Sequence, residues 1–147
     1  MLGLALLAAA GLKLAMYFST TPPPLIHPTA DPQPVAIDLS ISASGSQSRE
    51  LGTVAAGRRT VFPCLIRNTT RDEVTLGPFE TSCHCLSVSL PDRVIPPGRS
   101  APGEVILDMA MEPDFRGGLA LTVEAPVVVG GRPTGMAVNV VLTAVVR

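Results

Sequence analysis

Three neighbouring residues, Cys83, His84 and Cys85, are of the types that bind soft metal ions or undergo thiol chemistry. In a β-strand successive side chains point to opposite faces, so the two sulfurs would share a face and His84 would point away. The sulfur pair could then bind Cu(I) or Zn, and in a loop or bulge all three side chains could converge. A closed zinc site needs four ligands, however, and Cys64 is the one further cysteine. We expect no cofactor, with a copper or zinc site at Cys83, His84 and Cys85 as the alternative.

The same cysteines also offer disulfide chemistry. A bridge between Cys83 and Cys85 would close a very small ring, and the strain of such a ring makes a disulfide easy to reduce. A bridge from Cys64 to either of them would instead be a structural staple between strands. Cys64 can also remain a small core side chain, since it alternates in register with Phe62 and Ile66. We expect structural roles for the three cysteines, with thiol redox chemistry as an alternative.

Catalytic motifs are missing from the sequence. The chain has no nucleophile elbow, phosphate-binding loop or paired histidine motif, and its two histidines are His84 and His27, which lies in a proline-rich stretch. The balance of 11 Lys and Arg against 12 Asp and Glu removes the electrostatic case for nucleic-acid binding. We therefore predict that the chain is not an enzyme and does not bind nucleic acid.

Two polar motifs carry further hypotheses. Arg58–Arg59, Arg67 and Arg71 cluster near one predicted hairpin and could form a local anion patch, although charges at strand edges also discourage aggregation. The run Asn68-Thr69-Thr70 fits the glycosylation acceptor sequence, which matters in a eukaryotic host.

The elements that must position these residues are short β-strands. Between Val35 and Ser42 apolar side chains alternate with polar ones. Further strand-like runs, bounded by turn residues, cover 51–54, 60–67, 73–76, 81–90, 104–111, 119–129 and 136–146. The run 104–111 places Met109 and Met111 on its core face, and no segment after Phe18 has apolar residues at helical spacing. The sequence predicts an all-β domain over 35–147, an antiparallel β-sandwich of about seven to nine strands.

The chain before this domain divides into two segments. Residues 2–18 form an apolar run around Lys13 that would span roughly 25 Å as a helix, and we interpret 1–18 as a transmembrane anchor. A cleaved signal peptide and a buried helix of a soluble protein are the alternatives. Residues 19–34 contain six prolines, which predict an extended polyproline II spacer. Because no Lys or Arg lies between Leu14 and Ser48, we expect the β domain to be translocated across the membrane.

The predicted domain carries the motifs Leu51-Gly-Thr-Val54, Asn68-Thr69, Ser82-Cys83-His84-Cys85 and Pro97-Gly98. In these motifs it resembles a family of exported bacterial immunoglobulin-like domains, domain of unknown function 1573, whose signature is Ser-Cys-Gly-Cys. The likeness covers roughly 35–147, and Thr70 and His84 stand where that family has glycine. The resemblance implies an immunoglobulin-like sandwich and an exported setting, and it implies no reaction.

These observations lead to one functional expectation. The chain is expected to be a single-pass membrane protein whose extracytoplasmic β-sandwich, in the periplasm or at the cell surface, acts as a structural or binding module. Its partners would be the membrane, through the N-terminal helix, and a protein of the cell envelope, reached through loops or by strand addition at a free edge. The alternative is a thiol-based metal or redox site at Cys83, His84 and Cys85. A third class, an assembly component of a large envelope complex, predicts co-purification with one fixed partner.

Overall fold

The computed structural model describes residues 36–41, 43 and 45–147. The predicted anchor over 1–18 and spacer over 19–34 lie outside these residues. The strands are β1 Ile37–Ser40, β2 Gln47–Val54, β3 Arg59–Arg67, β4 Val74–Leu76, β5 Glu80–Thr81, β6 Leu86–Ser89, β7 Val94–Ile95, β8 Ser100–Asp108, β9 Gly117–Val129 and β10 Arg132–Val146. In the part of the chain that is described, no helix is long and apolar enough to cross a membrane. The prediction of an all-β domain is confirmed.

The strands form two sheets, as in a β-sandwich. Sheet A has the order β1-β3-β8-β6, and sheet B has the order β2-β10-β9-β4-β7, with β5 paired to β9. Alternate residues of both sheets meet in one hydrophobic core, in which Val, Leu and Ile predominate and Phe62 is the aromatic member. Each fully buried Val, Leu or Ile side chain stabilises the fold by about 1.5–3 kcal/mol. This core holds the two sheets together without a disulfide bond from a strand of one sheet to a strand of the other.

The prediction that all strands pair antiparallel is wrong for two pairs. β1 runs parallel to β3, and β2 runs parallel to β10. The reason for the first pair is the path of the chain, which leaves sheet A after β1, passes through β2 in sheet B and returns as β3. The alternation of apolar residues is the same for either direction, so the sequence pattern carries no information about it. The described residues also form ten strands, one more than the upper expectation.

Two of the predicted strands are not continuous, because each is broken by a turn. The run 81–90 is interrupted, because residues 82–85 form a turn between β5 and β6. The run 104–111 stops at Asp108, whose carboxylate accepts a hydrogen bond of 3.0 Å from the Ala110 N–H and begins a 3-10 turn over Met109–Met111. As a result Met109 is buried as predicted, whereas Met111 is 75% exposed and not part of the core.

Candidate functional site

The Cys83-His84-Cys85 segment is the point at which the chain crosses from sheet B to sheet A. β5 pairs with β9 in sheet B, and β6 pairs with β8 in sheet A. The four residues between them, 82–85, must therefore bridge the two layers. Strand geometry, which would have placed both sulfurs on one sheet face, does not apply here.

Backbone hydrogen bonds shape this turn. The Leu86 N–H donates to the Cys83 carbonyl at 3.1 Å, which closes a four-residue β-turn with His84 and Cys85 at its centre. Neither central residue has a positive φ. The turn is therefore open to residues other than glycine, such as His84. The Thr81 hydroxyl lies 3.1 Å from the Cys83 carbonyl oxygen and from that of Leu86.

Further hydrogen bonds fix the turn to a strand of each sheet. On the sheet B side, the Ser82 N–H donates to the Thr122 carbonyl at 3.1 Å, and the Thr122 N–H donates to Ser82 Oγ at 2.8 Å. On the sheet A side, the Asp108 N–H donates to the Cys85 carbonyl at 2.7 Å. The position of the turn is thus set by β9 and β8 and not by its sulfur atoms.

Cys83 and Cys85 are joined by a disulfide, with their α-carbons 5.1 Å apart. Cys83 is half-buried, Cys85 is 8% exposed and His84 is exposed at the tip of the turn. The Cys85 N–H donates to Cys83 Sγ at 2.9 Å. Because the two sulfurs are bonded to each other, this oxidised form offers no pair of thiolates to an ion. Over 36–41, 43 and 45–147, no group of three or more His, Cys, Asp or Glu is placed to hold a metal.

Cys64 lies apart from this turn as a free, buried thiol. Cys64 in β3 lies opposite Gly103 of β8, whereas the Cys85 carbonyl accepts a hydrogen bond from the Asp108 N–H of the same strand. Five residues of β8 separate these positions by roughly 17 Å, well beyond the α-carbon distance that a disulfide can bridge. The fold therefore does not bring the three cysteines together, and Cys64 packs in the core beside Phe62 and Ile66.

Burial gives Cys64 a measurable pH dependence. Desolvation, helped by the negative charge of Glu104, raises the pKa of the Cys64 thiol from 9.0 to about 11. Between pH 9 and 11 the folded state therefore keeps this proton while the unfolded chain loses it. As a consequence, the free energy of unfolding is unaffected by this thiol below pH 9 and falls as the pH rises toward 11. We expect the free energy of unfolding to fall by roughly 1.4 kcal/mol per pH unit between pH 9 and 11.

The measurement is urea unfolding of the 147-residue chain and of Cys64→Ala at pH 8, 9, 10 and 11. Any other group that titrates at high pH is present in both proteins, so only the difference between the two curves reports Cys64. The expected result is a difference that narrows as the pH rises above 9. Parallel curves would show that the thiol is solvated in the folded state.

A second candidate site lies on the outer face of sheet A. Five apolar side chains, which we call the outer strip, point away from the core on its two central strands: Val61, Pro63, Leu65, Pro102 and Ile106. Val61 pairs with Ile106 and Leu65 pairs with Pro102, and between them Pro63 pairs with Glu104, whose exposed side chain lies in the middle of the strip. Val61 is 36% exposed and Leu65 is 39% exposed. Sequence reasoning missed this strip, although the signal is present in β3, which is apolar at both alternating sets of positions between Val61 and Ile66.

One end of the outer strip is polar. Arg67 lies between Ser40 of β1 and Ser100 of β8 in a row across three strands. A shallow cavity of about 220 Å³ opens here, lined by Asp38, Leu39, Ser40, Arg49, Leu65, Arg67 and Ser100. Two guanidinium groups against one carboxylate give the cavity a net positive charge. An apolar ligand surface with an acidic group beyond it would complement this face.

The predicted arginine cluster does not form as expected. Arg59 and Arg67 stand at opposite ends of β3, eight residues and roughly 27 Å apart. Arg58 lies beside Arg59, and Arg71 comes after Arg67, so the four side chains divide between the two ends of the strand. The predicted hairpin is wrong, because β3 pairs with β8 and not with the residues that come directly after Arg67.

The free edge of β1, a candidate for strand addition, is covered by side chains of β2. The Ser40 N–H donates to Gln47 Oε1 at 3.1 Å, and Gln47 Nε2 donates back to the Ser40 carbonyl. Arg49 Nε donates to the Asp38 carbonyl at 2.8 Å. A partner strand would have to displace these bonds, so this edge is protected against strand addition.

Asn68, the first residue of the acceptor sequence, is the one buried polar side chain among the described residues. It is 0% exposed, and its Nδ2 donates to the carbonyls of Asp72 and Ile95, each at 2.8 Å. In the folded domain this nitrogen is therefore closed to a glycan. Asn68 instead ties the loop after β3 to β7.

The chain matches no protein-family model and no curated protein. Among solved structures it is similar to the crystal structure of a protein of unknown function from Porphyromonas gingivalis W83, with a TM-score of 0.56 and 17% sequence identity. The alignment covers 79% of this chain and 50% of that one. This chain thus spans about half the length of that protein. At this identity the likeness supports the fold alone.

Proposed function

We propose that this protein is a membrane-anchored, extracytoplasmic β-sandwich of the immunoglobulin-like type that binds a protein partner of the cell envelope. The single observation that carries the binding role is the outer strip. A sheet with one face on the core normally shows polar side chains on the other face, because that face meets water. A cluster of exposed apolar side chains with polar neighbours is typical of a protein interaction site.

The composition of sheet A also favours a protein partner over a small ligand. The strip lies on a broad sheet surface, and the cavity at its end is shallow and lined at its rim by charged groups. Small-molecule sites are concave and enclose most of the ligand, whereas protein interfaces combine an apolar centre with a polar rim. Val61, Leu65 and Ile106 would supply apolar contacts, and Glu104 and Arg67 would supply polar ones.

The anchor and the location rest on the sequence. Residues 2–18 are apolar, and the absence of Lys and Arg between Leu14 and Ser48 favours export of the β domain. Fractionation of the source cells is expected to place the chain with the membranes, and added protease is expected to reach the domain while the cytoplasmic membrane is still intact. Recovery of the intact chain among the cytosolic proteins would contradict this proposal.

The binding surface is tested by photo-crosslinking in cells, with a photoreactive phenylalanine analogue in place of Val61. We expect an adduct of one defined mass, and we expect Leu65→Glu to lower its yield by about tenfold, a loss of roughly 1.4 kcal/mol of binding energy. Leu65→Glu adds a carboxylate to the strip next to its polar end without reaching the core, so the melting temperature should change little.

Val145→Glu is the matched control. Val145 is also an exposed strand residue, 41% accessible, but it lies on sheet B. This variant should leave the adduct unchanged. Equal losses in both variants, or none in either, would show that the outer strip is not the contact surface.

The second candidate function is a thiol-based metal or redox site at Cys83, His84 and Cys85, and the disulfide is the observation that favours its redox form. Metal binding by the sulfurs would require this bond to be reduced first, since the ion binds thiolates. Elemental analysis of chain purified without chelator, with Cys83→Ser as the control, tests it. Copper or zinc at one equivalent, lost in the variant, would support the metal form.

A further inference from the structure

The turn that holds the disulfide is built so that it can survive loss of the sulfur–sulfur bond. Its hydrogen bonds to strands β9 and β8 are those of Ser82 with Thr122 and of Cys85 with Asp108, and both use backbone or hydroxyl groups. Residues 82–85 belong to no strand, so their movement leaves both ladders intact. Chain-entropy stabilisation by a disulfide grows with loop length and is smallest for cysteines two residues apart. This bond therefore contributes little to holding the fold.

The two sulfurs differ in their surroundings. Cys83 is half-buried beside the exposed His84, whereas Cys85 belongs to the core cluster. An external thiolate can therefore approach Cys83 and not Cys85. Cys83 Sγ also accepts the Cys85 N–H at 2.9 Å, a bond that stabilises negative charge on this sulfur when it leaves as a thiolate.

We propose that Cys83–Cys85 is an exchangeable disulfide that oxidises dithiols of another protein while the domain stays folded. A thiolate of the dithiol attacks Cys83 Sγ, the Cys83–Cys85 bond breaks, and Cys85 leaves and takes up a proton. The second thiol of the dithiol, as thiolate, then attacks its own sulfur in the mixed disulfide, and Cys83 leaves as a thiolate and is protonated. The dithiol loses two electrons and two protons, and Cys83 and Cys85 gain them as two thiols.

This inference deepens the second candidate function, because it assigns the reaction, the attacked sulfur and the class of partner. It is independent of the outer strip, which lies on the exposed face of sheet A. Substitutions at Leu65 should leave the exchange reaction unchanged, and substitutions at Cys83 should leave the adduct at Val61 unchanged. The two proposals can therefore fail separately.

The experiment uses the purified 147-residue chain and dithiothreitol as the dithiol probe, followed by alkylation and peptide mass mapping. We expect Cys83 to be alkylated first and Cys85 more slowly, while the circular dichroism spectrum stays native and Cys64 stays unmodified. The attacked sulfur is identified with a small aromatic disulfide: Cys83 in Cys85→Ser should react at least about tenfold faster than Cys85 in Cys83→Ser, because accessible thiolates react and buried ones do not.

Each other outcome would overturn the proposal. Alkylation of Cys83 and Cys85 at the same rate as Cys64 would show that reduction requires unfolding, as for a structural disulfide. Equal rates in the two single variants would show that Cys83 is not the attacked sulfur. Chain that carries two reduced thiols with bound copper or zinc would assign the turn to metal binding instead.

Discussion

Asn68→Asp is expected to lower the free energy of unfolding by about 3–5 kcal/mol, because each unsatisfied buried polar group costs about 1–3 kcal/mol and a charged one costs more. The Asn68 side chain makes four hydrogen bonds. Its Nδ2 donates to the carbonyls of Asp72 and Ile95, and its Oδ1 accepts from the Thr70 N–H at 2.9 Å and hydroxyl at 2.7 Å. The substitution keeps the shape but replaces the donating amide with a carboxylate oxygen that faces two carbonyl oxygens.

The loops that Asn68 joins give this residue an effect on the whole domain. Its backbone N–H donates to the Arg99 carbonyl at 2.9 Å, and its carbonyl accepts from the Gly98 N–H at 3.0 Å. Asn68 thus connects the end of β3 in sheet A with the segment between β7 and β8. Loss of the side-chain bonds should loosen the loop 68–73 and the short strand β7, where hydrogen exchange would become faster.

Urea unfolding of the 147-residue chain measures this effect, and Thr70→Val is the graded control. Thr70→Val removes one hydroxyl partner of Asn68 and should cost about 1 kcal/mol, the usual value for one hydrogen bond. The deficit of Asn68→Asp relative to the unsubstituted chain should also shrink at pH 4, because protonation removes the buried charge and restores one donor. A deficit below that of Thr70→Val would contradict the assigned network.

Gly103→Ala is expected to destabilise the chain by about 1–3 kcal/mol or more, the range for overpacking a tight site. A Cβ at position 103 would lie 2.7 Å from the Ser89 carbonyl oxygen, 2.9 Å from Leu90 Cδ1 and 3.3 Å from Cys64 Sγ. The closest of these atoms belongs to backbone, which cannot rotate away as a side chain can. Sheet A would have to open between β6 and β8, and β6 begins directly after the disulfide turn.

Gly118→Ala is the matched control for this substitution. Gly118 also lies in a strand, its φ is not positive, and a Cβ there would meet nothing within 4 Å. Alanine should be neutral or should stabilise the chain by about 0.4–1 kcal/mol, because it reduces the freedom of the unfolded state. The measurement is the difference between the two variants in urea unfolding. A difference of zero would mean that the sheet absorbs the methyl group at position 103 freely.

The apolar faces of the strands can be predicted because burial imposes a period of two on any strand. The alternation predicts that Ile37, Leu39 and Ile41 share a face, and all three are buried. The same rule predicts the core face of β3 through Phe62, Cys64 and Ile66. The period-of-two rule fails where a local hydrogen bond ends the strand. At Asp108 the side chain begins a 3-10 turn, β8 ends, and Met111 is left exposed to solvent.

The candidate sites are predicted less completely, because they depend on contacts between segments far apart in the sequence. The identity of the Cys-His-Cys segment is evident, but its turn geometry depends on Thr122 and Asp108, which no local pattern connects to it. The outer strip requires β3 and β8 to be neighbours, with Leu65 beside Pro102. The burial of Asn68 likewise depends on Ile95, 27 residues later in the chain.

Side-chain hydrophobicity and chemistry are properties of single residues and their spacing, so the amino-acid sequence is enough to predict the class of the domain, most of its core residues and the positions of its cysteines. The fold sets which strands run parallel, which sulfurs bond to each other and which apolar side chains remain exposed. These outcomes depend on the order of strands within each sheet, and that order is set by the packing of the whole core at once. A period of two reports that a side chain points inward or outward, and it cannot report which neighbour it meets.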